Sequence, residues 1–148
     1  MTDYPICLNN LHRALCIVVG GGNVAERKVH SLLAAGAAVR VISPELTKTL
    51  QAWVDQGRIQ HVQRAYRLGD LEGAFLAFAA TDDHEVNRAI STEAQSRQLL
   101  VNVVNDPDLG NFTVPAVVRR GSLAISISTE GQSPALAAHL RQRIEQFI

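Results

Sequence analysis

Three consecutive glycines, Gly20 to Gly22, separate a short apolar run from a helical pattern, and this junction constrains the fold most strongly. The run Ala14–Val19 is continuously apolar, as expected for a parallel strand that is buried on both faces. From Val24 to Ala35 the apolar residues recur at helical spacing, and Gly36 stands where such a helix would end. A strand that is connected to a helix by a glycine turn is typical of the first unit of a parallel α/β sheet.

The same alternation of strand and helix patterns continues to residue 104. Right-handed crossovers between the strands would place helices on both faces of a five-stranded sheet. The predicted fold class is therefore α/β, with a doubly wound parallel sheet. The further predicted elements are strand Ala38–Ser43, helix Leu46–Gln56, strand Ile59–Gln63, loop Tyr66–Gly73, strand Ala74–Ala80, helix His84–Arg97 and strand Leu100–Val104.

After Asn105 the pattern changes to a hairpin and a helix. The runs Val114–Val118 and Ser122–Ser128 predict two antiparallel strands with a turn at Arg119-Arg120-Gly121. Ser133 and Pro134 then begin a helix. Because a two-stranded hairpin is not stable alone, we expect this region to pack on the first domain or on a second subunit.

Apolar spacing in this last region predicts its buried faces. Leu123, Ile125 and Ile127 alternate with small or polar residues, which is typical of a strand with one buried face. One face of the helix carries Leu136, Leu140, Ile144 and Phe147. We therefore predict a domain of residues 1–112 and a small β-hairpin plus helix region of residues 113–148.

Composition argues against several classes of protein. Lys and Arg total 14, and Asp and Glu total 14, so the net charge is zero and no global field favours nucleic acid or an anionic membrane. Cys7, Cys16 and the five histidines show no disulfide or metal-ligand spacing. No apolar run approaches the roughly 20 residues that cross a bilayer, and the N-terminus lacks a signal-peptide pattern. We expect a cytoplasmic protein without bound metal, nucleic acid or membrane.

The region after Thr113 is locally basic although the whole chain is neutral. Its four arginines are opposed by only two acidic residues, which leaves two interpretations open: a solvated surface or a site for an anionic ligand. These residues are Arg119, Arg120, Arg141 and Arg143, with Glu130 and Glu145 opposing them.

The glycine turn has the spacing of a dinucleotide-binding motif, Gly20-x-Gly22-x-x-Ala25. Gly20 permits the tight turn, Gly22 lets a diphosphate approach the backbone, and Ala25 allows close packing of helix on strand. The N-terminus of the helix supplies amide donors and a partial positive charge for the phosphates. Since the motif lies between a buried strand and a helix, we predict a nicotinamide-dinucleotide site here.

Polar residues follow the other strands at the edge where ligands bind in open α/β sheets. Ser43-Pro44-Glu45 ends the second strand, and the adenosine ribose could bind the Ser43 hydroxyl, a backbone amide or Glu45. Because Ser43 stands where NAD sites usually have an acid, the choice between NAD and NADP stays open. Thr81 either contacts the ligand or caps the next helix, and Asn105 and Asp106 either belong to the site or form a turn.

Longer strings of residues resemble one known family over nearly the whole chain. The string from Gly20 to Lys28 is the most specific of them. The chain resembles the N-terminal module of siroheme synthase, which also occurs as the stand-alone precorrin-2 dehydrogenase. The matching strings are Tyr4–Ile6, Val18–Lys28, Ala79–Asp83, Val86–Asn87, Val101–Val104, Phe112–Pro115, Ser126–Thr129 and Gly131–Leu136.

The resemblance implies a Rossmann domain, a small dimerisation region and a helical segment, hence a homodimer. It implies oxidation of the tetrapyrrole precorrin-2 to sirohydrochlorin with NAD as hydride acceptor, and it allows iron insertion (ferrochelatase activity), which some members perform. The cofactor contacts it implies are Asn23 and Val24 in the turn and Pro44 and Glu45 after the second strand. A substrate with many carboxylates would also give the basic residues a ligand.

One position departs from the family's pattern. The family has a catalytic aspartate where this chain has Asn105, and the nearest acid is Asp106. Asparagine cannot accept a proton. Either Asp106 takes that role through a shifted loop, or the base is not essential, or activity is reduced. Asn105 therefore also favours an alternative, an NAD(H)-binding sensor or regulatory module without catalysis.

Overall fold

A five-stranded parallel sheet forms the centre of residues 7–112 in the computed structural model, which describes all residues from Met1 to Ile148. The strand order is β3-β2-β1-β4-β5, and a separate two-stranded sheet pairs β6 with β7. The predicted fold class is confirmed. None of the helices combines the length and the apolar character that spanning a bilayer requires. The elements are β1 (Leu15–Val19), α1 (Asn23–Ala34), β2 (Ala38–Ile42), α2 (Lys48–Asp55), β3 (Gln60–Val62), β4 (Leu76–Ala79), α3 (His84–Ser96), β5 (Leu100–Val103), β6 (Ala116–Arg120), β7 (Leu123–Ile127) and α4 (Pro134–Phe147).

Strand β1 supplies side chains to two hydrophobic cores, one on each face of the sheet. Cys16 and Val18 pack in the core that contains residues of α1 and α2. Ile17 and Val19 pack in the opposite core, which contains residues of α3. All four side chains are buried, so the continuous apolar run is explained by a strand that is covered on both sides.

A loop, residues 63–75, connects β3 to β4 where the other crossovers of the sheet have helices. Its Leu71 is fully buried in the same core as α3, so the loop covers part of the face that a helix would otherwise cover. Arg64 and Asp70 hold the loop together through two parallel hydrogen bonds of 2.7 and 2.8 Å. The hydrogen bond from Arg64 holds the pKa of Asp70 below its usual value.

The second compact unit contains Met1–Ile6 and Thr113–Ile148, and its hairpin turns later than predicted. Arg119 pairs with Ala124 and Arg120 pairs with Leu123, so both arginines belong to β6. The turn is therefore Gly121-Ser122, and the predicted turn at Arg119-Arg120-Gly121 is wrong. Gly121 has a φ of 57°, which glycine adopts most easily, and this position fixes where the two-residue loop can form.

The buried residues of this unit also differ from the prediction. Ala137 of α4 and Val118 of β6 are buried, because a small residue lets the helix approach the strand closely. Of the larger residues on the predicted buried faces, Ile125, Ile127 and Ile144 are half-buried. The other four are exposed: Leu123 (48%), Leu136 (48%), Leu140 (39%) and Phe147 (90%). An apolar surface therefore remains uncovered on this unit.

Candidate functional site

The glycine turn after β1 fits tightly between the ends of two neighbouring strands. A Cβ atom at Gly20, which has a φ of 128°, would lie 2.3 Å from the carbonyl oxygen of Ala80 after β4. A Cβ atom at Gly21 would lie 1.8 Å from the carbonyl oxygen of Glu45 after β2. Both positions therefore need glycine so that the turn can pack against the adjacent loops.

Gly22 differs because no atom lies within 4 Å of the position that its Cβ would take. It is the N-cap residue of α1, and no side chain caps the helix there. The first amides of α1 therefore lack partners within the helix. An open space in front of free amides is the geometry that binds a phosphate, so the turn fits the diphosphate of a dinucleotide.

A cleft of about 730 Å³ opens over this turn, which is a volume typical of cofactor sites. It is lined by the residues that follow β1, β2 and β4 and by part of the loop 63–75. The structure brings all the predicted cofactor-binding residues to this one cleft, and their contacts with a ligand stay predictions. They are Gly20, Gly22, Asn23, Val24, Ser43, Pro44, Glu45 and Thr81.

The loop after β2 is held in shape by Ser43. Its hydroxyl donates a 2.7 Å hydrogen bond to the carbonyl oxygen of Glu45, and only 8% of the residue is exposed. The backbone amide of Thr47 donates to the carbonyl oxygen of Gly21 at 2.9 Å, which ties this loop to the glycine turn. Since the Ser43 proton is already engaged, the exposed Pro44 and Glu45 are the residues of this loop that a ligand can reach.

Thr81 after β4 is fixed by the buried Asn87 of α3. The Thr81 hydroxyl donates to Oδ1 of Asn87 at 2.7 Å, and the Asn87 amide donates to the Thr81 carbonyl oxygen at 3.0 Å. The helix cap is Asp83, whose carboxylate accepts from the amides of Glu85 and Val86. Thr81 is thus a rigid part of the cleft wall and is not the cap of α3.

Asn105 and Asp106 lie after β5 and are not among the residues that line the cleft. Asn105 is exposed and has a φ of 65°, a left-handed conformation that asparagine tolerates better than most residues. The Asp106 amide donates to the carbonyl oxygen of Val103, and its side chain makes no capping hydrogen bond. The structure therefore gives Asn105 a backbone role in the turn and leaves the carboxylate of Asp106 free.

The charged side chains that line the cleft are all acidic: Glu45, Asp82 and Asp83. No lysine or arginine is among the lining residues. The positive potential for phosphate therefore comes from the first amides of α1. No three His, Cys, Asp or Glu side chains lie close enough together to hold a metal ion.

Sequence patterns did not reveal a buried carboxylate behind the cleft, Glu93 of α3, whose side chain is 1% exposed. It accepts hydrogen bonds from the Tyr66 hydroxyl (2.5 Å), the amides of Gly69 (2.9 Å) and Leu71 (3.1 Å), and Nε of Arg97 (2.9 Å). Burial alone would raise the pKa of Glu93, but these donors outweigh burial and lower the pKa. Burial, together with Glu93, raises the pKa of Tyr66.

Comparisons with known proteins agree with this geometry. A family model described as "Putative NAD(P)-binding" matches residues 7–116, and one described as "Sirohaem biosynthesis protein central" matches residues 120–146. Among solved structures, the precorrin-2 dehydrogenase SirC matches 99% of this chain and 71% of its own, with a TM-score of 0.86 and 30% identity. The chain belongs to the precorrin-2 dehydrogenase family. The predicted family is thus confirmed.

Siroheme synthases are also similar to this chain. That of Methylobacillus flagellatus is 51% identical over 148 residues, which are 100% of this chain and 32% of that protein. That of Chromobacterium violaceum is 42% identical over 148 residues, which are 100% of this chain and 31% of that protein. The chain therefore spans about a third of the length of these siroheme synthases.

Proposed function

We propose that this chain oxidises precorrin-2 to sirohydrochlorin with NAD as the electron acceptor. The observation that carries the proposal is the open space at Gly22 in front of the first amides of α1, which we call the phosphate cradle. The chain that forms it is similar to the precorrin-2 dehydrogenase SirC along 99% of its length. When bound, NAD supplies a nicotinamide ring that accepts a hydride. The residues of the chain hold the dinucleotide and position the substrate beside it.

The diphosphate and the adenosine of the cofactor would bind to two different parts of the cleft. The diphosphate would bind Gly22 and the first amides of α1, which include those of Asn23 and Val24. The adenosine ribose would bind near Pro44 and Glu45, because the end of the second strand is where dinucleotide folds place it. A carboxylate at Glu45 can accept hydrogen bonds from the ribose hydroxyls.

The charges of the cleft favour NAD over NADP. A 2′-phosphate usually needs an arginine near the end of the second strand, and the cleft lining has only acidic charged side chains. The 2′-phosphate of NADP would therefore lie near Glu45 without a cation to balance it. We infer that NAD is the physiological cofactor.

We propose Asp106 as the proton acceptor of the reaction, since oxidation of precorrin-2 removes a hydride and a proton. Its side chain makes no capping hydrogen bond, and it follows β5, the strand that pairs with β4. The end of β4 lines the cleft, so Asp106 lies at the same edge of the sheet. Asn105 does not take part in this step.

Supplying precorrin-2 and NAD to the purified protein tests the proposed reaction. We expect NADH to form above a control without enzyme, and we expect NADP to give at least tenfold lower kcat/KM because its 2′-phosphate meets acidic side chains. Absorbance measures the reduced cofactor, and calorimetry measures binding of NAD and precorrin-2 separately. Tetrapyrrole and NAD binding without NADH formation would favour a sensor module over an enzyme.

We further infer that the predicted domain of residues 1–112 binds NAD through Cys7–Phe112, and that residues 113–148, which form one compact unit with Met1–Ile6, mediate a homodimer. The support is the exposed apolar surface of Leu123, Leu136, Leu140 and Phe147, since exposed apolar patches commonly mark protein interfaces. In the same region Arg119 is exposed on β6 and Arg143 is exposed on α4. We propose that they bind carboxylates of the tetrapyrrole.

The dimer is tested by replacing Leu136 and Leu140 with glutamate. We expect the wild-type protein to sediment as a dimer and the Leu136→Glu/Leu140→Glu variant to sediment as a monomer, because four charges would face one another in the dimer. Analytical ultracentrifugation measures the mass. Ala138→Glu, an exposed change on the other side of the helix from these leucines, is the matched control, and loss of the dimer in that variant would contradict the proposed surface.

We also infer a cytoplasmic location. Both cysteines are free, and burial raises the pKa of the Cys16 thiol to about 11, so this thiol is unreactive. Free thiols of this kind are typical of a reducing compartment.

A further inference from the structure

Tyr66 is the only aromatic residue that lines the cleft. It comes from the loop 63–75 and lies with Pro44 and Val86 among the lining residues. It also lines a second groove of about 610 Å³ along α3, which contains Glu93. Tyr66 therefore borders both the cleft over the glycine turn and the neighbouring groove, as Asp83 and Val86 also do.

The hydroxyl of Tyr66 is not available to a ligand as a donor because it donates to the buried carboxylate of Glu93. Three further donors fix that carboxylate, namely two amides of the loop 63–75 and Arg97. The tyrosine is thus anchored at its hydroxyl end, and what it offers to the cleft is a flat apolar ring. A ring that is fixed before binding loses little conformational freedom when a ligand packs on it.

The side of the site next to the ends of β2 and β3 is where the adenine ring of a nicotinamide dinucleotide is expected, and adenine can pack on a flat ring. The diphosphate fits the cradle at Gly22. The strand order puts β2 and β3 on the opposite side of β1 from β4 and β5. Dinucleotide folds place the adenosine half near the end of the second strand, where Pro44 and Glu45 lie. Tyr66 follows β3, which pairs with β2.

We infer that Tyr66 binds the adenine ring of the dinucleotide and that Glu93 is a positioning residue that holds Tyr66. The inference rests on the proposed use of NAD. Adenine is a planar π-system, and stacking on an aromatic side chain is favourable for any base. This arrangement also gives a role to Glu93, a buried carboxylate of α3 that does not itself line the cleft.

Binding of ADP-ribose, measured by calorimetry, tests the role of Tyr66 without turnover. Tyr66→Leu is expected to weaken ADP-ribose binding by about tenfold or more, the range found when aromatic partners of bases are removed. Tyr66→Phe keeps the ring but removes the anchor at its hydroxyl, so it should weaken binding only severalfold, less than Tyr66→Leu does. Tyr4→Leu is the matched control, because Tyr4 is 88% exposed and lies outside the cleft lining. Binding of inorganic pyrophosphate should be the same in all four proteins.

The outcomes separate this inference from the proposed function. If Tyr66→Leu binds ADP-ribose as the wild type does, or loses pyrophosphate binding equally, the role of Tyr66 is overturned while precorrin-2 oxidation can still stand. If the wild type binds no ADP-ribose, both are overturned. A second readout leaves the site unaltered. In the Tyr4→Phe protein, Tyr66 is the one remaining tyrosine, so labelled tyrosine reports on its ring alone. Nuclear Overhauser effects should then join the Tyr66 ring to the adenine protons, and their absence would refute the stacking.

The positioning role of Glu93 is tested by a double-mutant cycle. Glu93→Gln should weaken ADP-ribose binding severalfold in the wild-type background, because it weakens the anchor of the Tyr66 hydroxyl. In the Tyr66→Phe background, which already lacks that anchor, it should cause no further loss. Equal losses in both backgrounds would show that Glu93 supports only the fold.

Discussion

Gly22→Ala is expected to weaken NAD binding by at least about tenfold, or roughly 1.4 kcal/mol, while the protein remains folded. The added methyl group would occupy the open space in front of the first amides of α1, where the diphosphate must approach. Gly22 has a φ of −90°, which alanine adopts without strain. Alanine is a poorer N-cap than glycine but restricts the unfolded chain, so the loss of stability should stay below about 1 kcal/mol.

The matched control is the same substitution two residues earlier. Gly20→Ala places its methyl group against the carbonyl oxygen of Ala80 and strains a φ of 128°. We expect a loss of about 3 kcal/mol of unfolding free energy. Calorimetry gives NAD affinity, and thermal unfolding gives stability. If Gly22→Ala binds NAD normally, or if it unfolds as readily as Gly20→Ala, the assignment of the cradle at Gly22 is wrong.

Asp106→Asn is expected to lower kcat by about a hundredfold or more, in the range that a general base contributes. The substitution keeps the size of the side chain and removes its ability to accept a proton. NAD affinity should hardly change, because Asp106 does not line the cleft. Single-turnover formation of NADH from precorrin-2 separates the chemical step from binding.

Two variants of the same turn are controls for Asp106. Asn105→Gly preserves the left-handed backbone conformation and should change kcat by no more than about threefold, well below the contribution of a base. Asp108→Ala removes another exposed carboxylate nearby and should also leave turnover near that of the wild type. If Asp106→Asn and Asn105→Gly have equal activity, the proton acceptor is not Asp106.

The sheet could be predicted from the sequence because its signals are local. A continuous apolar strand, a glycine turn and a helical repeat lie next to one another along the chain, and the cores on both faces of β1 follow from that pattern. The cofactor-binding residues could be predicted for the same reason, since parallel strands deliver their ends to one edge of the sheet. The prediction of the hairpin turn is wrong because charged residues next to a glycine favour an exposed loop, whereas Arg119 and Arg120 pair with β7 as part of a strand.

Glu93 and Lys28 show what local patterns could not predict. Glu93 occupies a helical position where an acid normally faces solvent, and its burial depends on donors from a loop that is distant in sequence. Lys28 belongs to the string Gly20–Lys28 that resembles the family, and no pattern in the sequence assigns it a contact. Its ammonium group lies 5.3 Å from the centre of the Phe78 ring, which packs edge-on against Phe112, so it also takes part in packing. Both roles follow from tertiary contacts between distant segments.

The contact between Gly21 and the carbonyl oxygen of Glu45 limits how the cofactor preference of this fold can be redesigned. No side chain fits between the glycine turn and the loop after β2, and a backbone hydrogen bond from Thr47 to Gly21 joins them. A loop transplanted from an NADP-dependent protein would displace the phosphate cradle unless it reproduced this backbone path. Exchanging the exposed side chains of Pro44 and Glu45 is therefore the route that leaves the cradle intact.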